Sequence, residues 1–379
     1  METFTLDHYT LIQLVTLGIF ILSFLIQSGY HTFTIRKFLK TKPLKVNPEQ
    51  HPVSVIICAQ NQGKQLAENL PFFLEQDYPN YEVIVVNDCS TDDTDSVIRE
   101  LQDRYPHLKR THILPDQKFN HNKKLALSIG IKAAKNEILL FSDPYCRPGS
   151  KNWLAQMQGN FNSDRKVVLG YSNIPYSKGM SNRFIRYDQF TNSIKRFCLA
   201  MSGKYYSGDG CNLGYCQKNF FENKGFAGHT HIEAGYDHLM VYQLSKANNV
   251  YISTSPSSKM ENHHTCPLQN WVSQNRHYYQ SRRFYPPFLR FLLDLEPVSR
   301  MLFYLSFVFL LTPGPAMLIA CTLMGVRSIL FFSSLKIASS HLKEEKLFLS
   351  SYMYDIISLF IKLFLFSTNR LASKNKRWK

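Results

Sequence analysis

The chain has 379 residues, enough for two or three folded units with sizeable cores. Only 19% of it is charged and 44% is hydrophobic, which excludes a disordered or collagen-like polymer. Most of the formal charge of +16 sits at the two ends: residues 1–45 carry five basic and two acidic groups, and residues 298–379 eleven and three. A nucleic-acid binder concentrates basic residues on its folded domain. An excess that flanks apolar segments points to a membrane surface and argues against nucleic acid as the partner.

From Tyr9 to Ile35 there is no Asp, Glu, Lys or Arg, and residues 11–26 (LIQLVTLGIFILSFLI) are strongly apolar. A helix here can cross a bilayer, which needs about 20 residues; the alternative is a buried core helix. Glu2 and Asp7 stand where a cleavable leader would be basic, and no A-x-A site follows, so the segment reads as an anchor. Arg36, Lys37, Lys40, Lys42 and Lys45 come directly after it. The positive-inside rule then places the amino terminus outside and residue 36 onward in the cytosol.

Residues 46–297 follow as a cytosolic domain in which strand and helix alternate. Strands are expected at 53–58 (VSVIIC), 82–86 (EVIVV), 111–114 and 137–142 (EILLFS), and helices at 64–76, 92–104 and 121–135. Strands this apolar, alternating with helices, imply an α/β fold with a mostly parallel sheet covered on both faces. Such sheets bind ligands at the carboxyl ends of their strands. Polar clusters lie there: Ala59-Gln60-Asn61, Asn87-Asp88-Cys89-Ser90 and Asp143. No G-x-G-x-x-G follows the first strand and no P-loop motif occurs, which argues against a Rossmann dehydrogenase or a P-loop NTPase.

Past the domain, residues 298–379 hold a second charge-free run between Arg300 and Arg327, broken by Pro313-Gly314-Pro315 into a kinked span or a tight hairpin. A third candidate, 347–367, is interrupted by Asp355 and Lys362, seven residues apart on one helical face, and fits an interfacial helix as well as a span. The basic tail (Arg370, Lys374, Lys376, Arg377, Lys379) reads as cytosolic, so three spans are expected, with residence in the inner cell membrane. Eight single cysteines, with no C-x-x-C or zinc spacing, read as reduced thiols.

The segments PVSVIICAQNQ, LEQDYPNYEVIVVNDCSTDDT, NKKLALSIGIKAAKNEILLFSDPYCRP and GDGCNLGYCQKNFFENKGFAGHTHIEAGYDHLM, in that order between residues 52 and 285, resemble the family-two glycosyltransferases. These are inverting, nucleotide-sugar-dependent enzymes with a GT-A fold. The wording GFAGHTHIEAGYDHL resembles a membrane-anchored bacterial branch of them. The resemblance implies a nucleotide half at 46–150 and an acceptor half at 151–297. It also implies that Asp88 accepts a hydrogen bond from a uracil or thymine ring, with Ala59 and Asn61 lining the same pocket. The alternative for Asp88 is a cap or Asx-turn residue at the strand end.

A divalent cation, Mg²⁺ or Mn²⁺, held by an Asp-X-Asp motif, neutralises the leaving diphosphate in the family. This chain has Asp143-Pro144-Tyr145, keeping one carboxylate and replacing the second by a phenol, a poor ligand for a hard cation. Metal dependence weaker than in relatives with both acids is therefore expected. Lys123 and Lys124 could offset diphosphate charge or simply be a solvated helical pair, and His263 and His264 could assist or be plain surface residues.

Asp237, in Gly235-Tyr236-Asp237-His238-Leu239, matches the family's general base; the alternative is a helix-capping Asp. Gly208-Asp209-Gly210-Cys211-Asn212 reads as a turn under the donor sugar, with Asp209 or Asn212 bonding its hydroxyls, or as an ordinary glycine turn. Trp271, Gln274, Arg276, His277 and Tyr278 resemble a degenerate Gln-X-X-Arg-Trp segment, in which Gln274 and Arg276 could contact donor or acceptor. The segment could equally be an interfacial helix. Two functions remain: a membrane-anchored transferase moving a sugar onto a lipid-linked or envelope-glycan acceptor, and a catalytically degenerate relative that binds nucleotide-sugar or partner proteins.

Overall fold

The computed structural model describes residues 11–41, 49–114, 122–230, 232, 234–245, 249–264, 267–312, 315–347 and 350–375. Cys266, His121, Lys42, Lys45, the Pro313-Gly314 break and the last basic residues of the tail lie outside them, and the seven described cysteines are free.

The domain begins with β1 (Val53–Ala59), buried along its whole length. Its sequence VSVIICA is nearly all apolar because both faces are covered. Val53, Val55 and Ile57 face one core with Leu66, Leu70 and Phe73 of α2 (Gly63–Leu74). Ile56 and Cys58 face the other. β2 (Tyr81–Asp88), α3 (Thr94–Arg104), β3 (Leu108–Ile113), α4 (Lys123–Ala133) and β4 (Ile138–Ser142) continue the alternation. Every element expected up to residue 142 is present. The largest shift is β3, which starts three residues earlier than its apolar end suggests.

β5 (Cys146–Pro148), α5 (Trp153–Gln158), β6 (Val167–Gly170), β7 (Ser172–Asn173) and α6 (Met180–Ala200) lead into β8 (Leu213–Cys216), α7 (Gln217–Glu222), α8 (His238–Leu244), β9 (Val250–Ser253) and β10 (Met260–Asn262). The main sheet has the order β3-β2-β1-β4-β8-β6-β9, and β8 alone runs against its neighbours. β5, β10 and β7 form a small second sheet.

The remaining helices are α1 (Leu11–Lys40), α9 (Pro267–Arg282), α10 (Pro287–Leu310), α11 (Pro315–Leu342) and α12 (Ser351–Asn375). Phe20 stacks on Phe303 and Phe307, and Gln27 donates to Ser299 at 2.8 Å, so α10 runs antiparallel to α1. His31 lies 3.0 Å from the Ser334 hydroxyl and Phe38 packs on His341, so α11 runs parallel to it. The run between Arg300 and Arg327 is thus a hairpin of two helices rather than one kinked span. The boundary expected at 297/298 falls inside α10.

α1 and residues 316–342 of α11 are long and apolar enough to cross a membrane. α12, which covers most of the third candidate segment at 347–367, lies along α6 and α9. There Asp355 meets Arg300 and Arg327, and Lys362 meets Asp188. Its two interrupting charges face protein partners, while Phe360, Leu363 and Phe364 remain exposed.

Candidate active site

Sheet register sets the first part of the site. β2, β1 and β4 are adjacent and parallel, so Asp88, Ala59 and Asp143 end three neighbouring strands. Two strand spacings, about 10 Å, separate the strands of Asp88 and Asp143. Asn61 sits at φ +53° and its side-chain oxygen accepts from the Thr91 amide at 2.8 Å, tying the loop after β1 to the loop after β2. β8 starts opposite Phe141, which brings the preceding turn over the end of β4; there the Ser142 hydroxyl donates to the Cys211 carbonyl at 3.0 Å.

Asp143 is buried, and both its oxygens are engaged. Oδ2 accepts from the Tyr145 hydroxyl at 2.7 Å, and Oδ1 accepts from the Lys123 ammonium. Lys123 also lies 3.3 Å from the Tyr236 hydroxyl and 4.4 Å from the centre of that ring. Burial opposes its charge, but Asp143 beside it more than compensates, so its ammonium is held well above the ordinary lysine range. Burial raises the phenols of Tyr145 and Tyr236, so both stay neutral. Lys124, next along α4, points elsewhere: its ammonium is buried and donates to the carbonyls of His229 (2.6 Å) and Ile232 (2.7 Å). It clamps the segment leading into α8, and the cation beside Asp143 is Lys123.

Asp237 caps α8, its Oδ1 accepting from the His238 amide at 2.6 Å. Its Oδ2 makes no hydrogen bond among the described residues. Two glycines bring it to the cavity. Gly235 takes φ +92°, a left-handed turn that favours glycine, and a Cβ on Gly208 would stand 2.7 Å from Val241 of α8. His238 is held by Ser207, 2.6 Å from its Nδ1.

Asp143 and Asp237 line one cavity of about 1170 Å³. It runs from Lys123 and Tyr145 past Asp209, Arg196, Tyr206, Tyr278 and Arg282. It continues between the end helices to Tyr30, Met301, Phe331, Leu359 and Leu363. Ala59, Asn61 and Asp88 are not among its lining residues and stand at the neighbouring strand ends. Asp209 lines it, accepting from the Cys211 amide at 3.1 Å and lying 3.6 Å from Arg196.

Asn212 belongs to the core instead. It accepts from the Trp153 indole at 3.1 Å and donates to the carbonyls of Tyr171 (2.9 Å) and Ser258 (2.8 Å). Gln274 reaches the cavity from α9, but Arg276 is exposed on the far side of that helix, two residues or about 200° around. His263 lies 3.1 Å from Glu261, and His264 packs edge-on against Tyr145.

Sequence reasoning missed Arg196 and Lys195. Arg196 Nε is buried without a hydrogen-bond partner among the described residues. Lys195 donates to the Leu293 carbonyl at 2.6 Å, and burial pushes its pKa down to about 8. Both stand on the cavity face of α6, a helix the sequence reading did not place.

Residues 54–217 match Glycosyl transferase family 2. The glycosyltransferase AglE of Haloferax volcanii is 30% identical over 143 residues, 37% of this chain and 45% of that protein. The poly-beta-1,6-N-acetyl-D-glucosamine synthase of Staphylococcus epidermidis is 31% identical over 115 residues, 28% of this chain and 26% of that protein. The chain thus spans less than half the length of either relative. Among solved structures, the mannosyltransferase PcManGT from Pyrobaculum calidifontis, in complex with GDP-Man and Mn²⁺, superposes with a TM-score of 0.61 at 18% identity. That match covers 89% of this chain and 100% of that one, a likeness of fold.

Proposed function

We propose that this chain is a glycosyltransferase of family 2 that moves a sugar from a nucleotide-sugar donor onto a lipid-linked or envelope-glycan acceptor, with inversion and with Asp237 as the general base. The observation that carries this reading is the cavity joining Asp143 and Asp237 to the space between the end helices, where Met301, Phe331, Leu359 and Leu363 line it beside the ion-paired Arg300 and Asp355. Asp237 Oδ1 is held by the His238 amide, so Oδ2 is positioned to take the proton of an acceptor hydroxyl as its oxygen attacks the anomeric carbon. A single displacement from the face opposite the leaving diphosphate inverts that carbon.

The donor base is assigned to the strand ends around Asp88, Ala59 and Asn61. Lys195, Arg196 and Arg282 stand midway along the cavity and suit a phosphate on the acceptor. Beyond them Met301, Phe331, Leu359 and Leu363 suit its lipid chain. The domain is assigned to the cytosolic face of the inner membrane, since Arg36, Lys37 and Lys40 close the apolar part of α1.

The test is nucleotide release from a panel of UDP-, GDP- and dTDP-sugars by the purified full chain in native-lipid nanodiscs. Asp237→Asn is expected to lower turnover by about 10²–10⁴-fold while donor binding persists. Binding without turnover of any donor by the unaltered chain would instead favour a degenerate binding protein.

A further inference from the structure

The strand-end site does not have the donor set of a divalent cation. Hard dications take several oxygen ligands, typically with one or two carboxylates. Here Asp143 stands alone, because Tyr145 and Tyr236 occupy the positions where the family resemblance implies acids, and both phenols are neutral. No cluster of three or more His, Cys, Asp or Glu able to hold a metal occurs among the described residues. Both oxygens of Asp143 already accept, one from Tyr145 and one from Lys123.

We propose that Lys123 is a built-in cation of this transferase, its ammonium supplying the positive charge at the leaving diphosphate so that transfer needs no divalent metal. The inference rests on the glycosyltransferase reading above. Asp143 anchors the ammonium on one side and the Tyr236 ring supports it on another, while Lys123 still lines the cavity. An ammonium has three N–H donors, so binding Asp143 and approaching Tyr236 leaves one for a phosphate oxygen. In the step itself the bond from the anomeric carbon to the phosphate oxygen breaks, with its electron pair going to the diphosphate. The bond to the acceptor oxygen forms, the acceptor proton goes to Asp237, and Lys123 keeps its protons throughout. A fixed charge of this kind acts where negative charge develops and needs no reorganisation.

The experiment measures UDP and GDP affinity of the purified full chain by calorimetry, in EDTA and in Mn²⁺, with Mn²⁺ binding read by electron paramagnetic resonance. Expected are equal nucleotide affinities in both buffers and no stoichiometric Mn²⁺ signal. Lys123→Met is expected to weaken diphosphate binding about ten- to hundredfold, the worth of one charged hydrogen bond, and Lys123→Arg to retain most of it. Because Lys123→Met leaves Asp143 uncompensated, the double variant Lys123→Met/Asp143→Asn controls for folding and should show the same loss. Unchanged affinity in both Lys123→Met variants overturns the inference. Nucleotide binding that appears only with Mn²⁺ also overturns it and leaves the glycosyltransferase reading standing, whereas no binding in either buffer overturns both.

Discussion

Asp143 and Asp355 are both buried carboxylates on the same cavity, one at the sheet and one among the end helices, and each meets a cation and a phenol. Asp355 draws its partners from three other helices: Arg300 and Tyr304 of α10, Arg327 of α11 and Tyr187 of α6. Arg327 is fully enclosed and continues to Gln27 of α1 at 3.3 Å. Asp143 draws on one lysine from α4 and on Tyr145, two residues along its own chain. The first arrangement cross-links helices, with two cations on one carboxylate. The second is charge-balanced, and its lysine keeps a donor toward the cavity. The same chemical parts serve architecture where every group bridges elements and, on the proposed reading, chemistry where one valence is left open.

That contrast breaks first at Asp355. Asp355→Ala strands the buried Arg327 guanidinium and leaves Arg300 with Glu296 alone, and should destabilise the chain by about 3–5 kcal/mol, read as a fall in the thermal midpoint in nanodiscs. If the midpoint is unchanged, the helix bundle does not depend on this pair. A loss of nucleotide affinity in the folded fraction would contradict its architectural role.

Lys124 sharpens the comparison from inside the domain. Lys124→Met leaves two carbonyls without their donor and should cost about 1–3 kcal/mol in stability, with nucleotide affinity retained. Burial pushes the pKa of Lys124 down to about 8, so between about pH 8 and the ordinary lysine value the unfolded chain holds a proton that the folded one has released. Stability therefore rises with pH across that window, and the rise should be shallower in Lys124→Met when unfolding is followed against pH. Loss of nucleotide affinity in this variant would return Lys124 to the site.

The smallest effect is expected at Arg276, exposed on α9 and outside the cavity. Arg276→Ala should change stability by no more than about 0.5 kcal/mol, and turnover should stay as it was. A clear drop in turnover would mean that α9 turns when substrate binds.

The sequence by itself determined the α/β architecture and where its polar clusters lie. The signals are short-range: unbroken apolar runs for strands buried on both faces, and polar residues where each run stops. Asp143 at the end of β4 was legible for that reason, whereas Asp237 at the head of α8 was singled out by the family resemblance, its helix-end position alone reading as a cap. The tertiary structure alone decided which side chains meet. A helix turns 100° per residue, so a reading accurate to a residue or two cannot tell Lys123 from Lys124, or Gln274 from Arg276. Nor does any local pattern reveal that Asn212 answers the Trp153 indole, or that Asp355 gathers arginines from two antiparallel helices. Those pairings join residues 28 to 59 positions apart and exist only once sheet and bundle have packed.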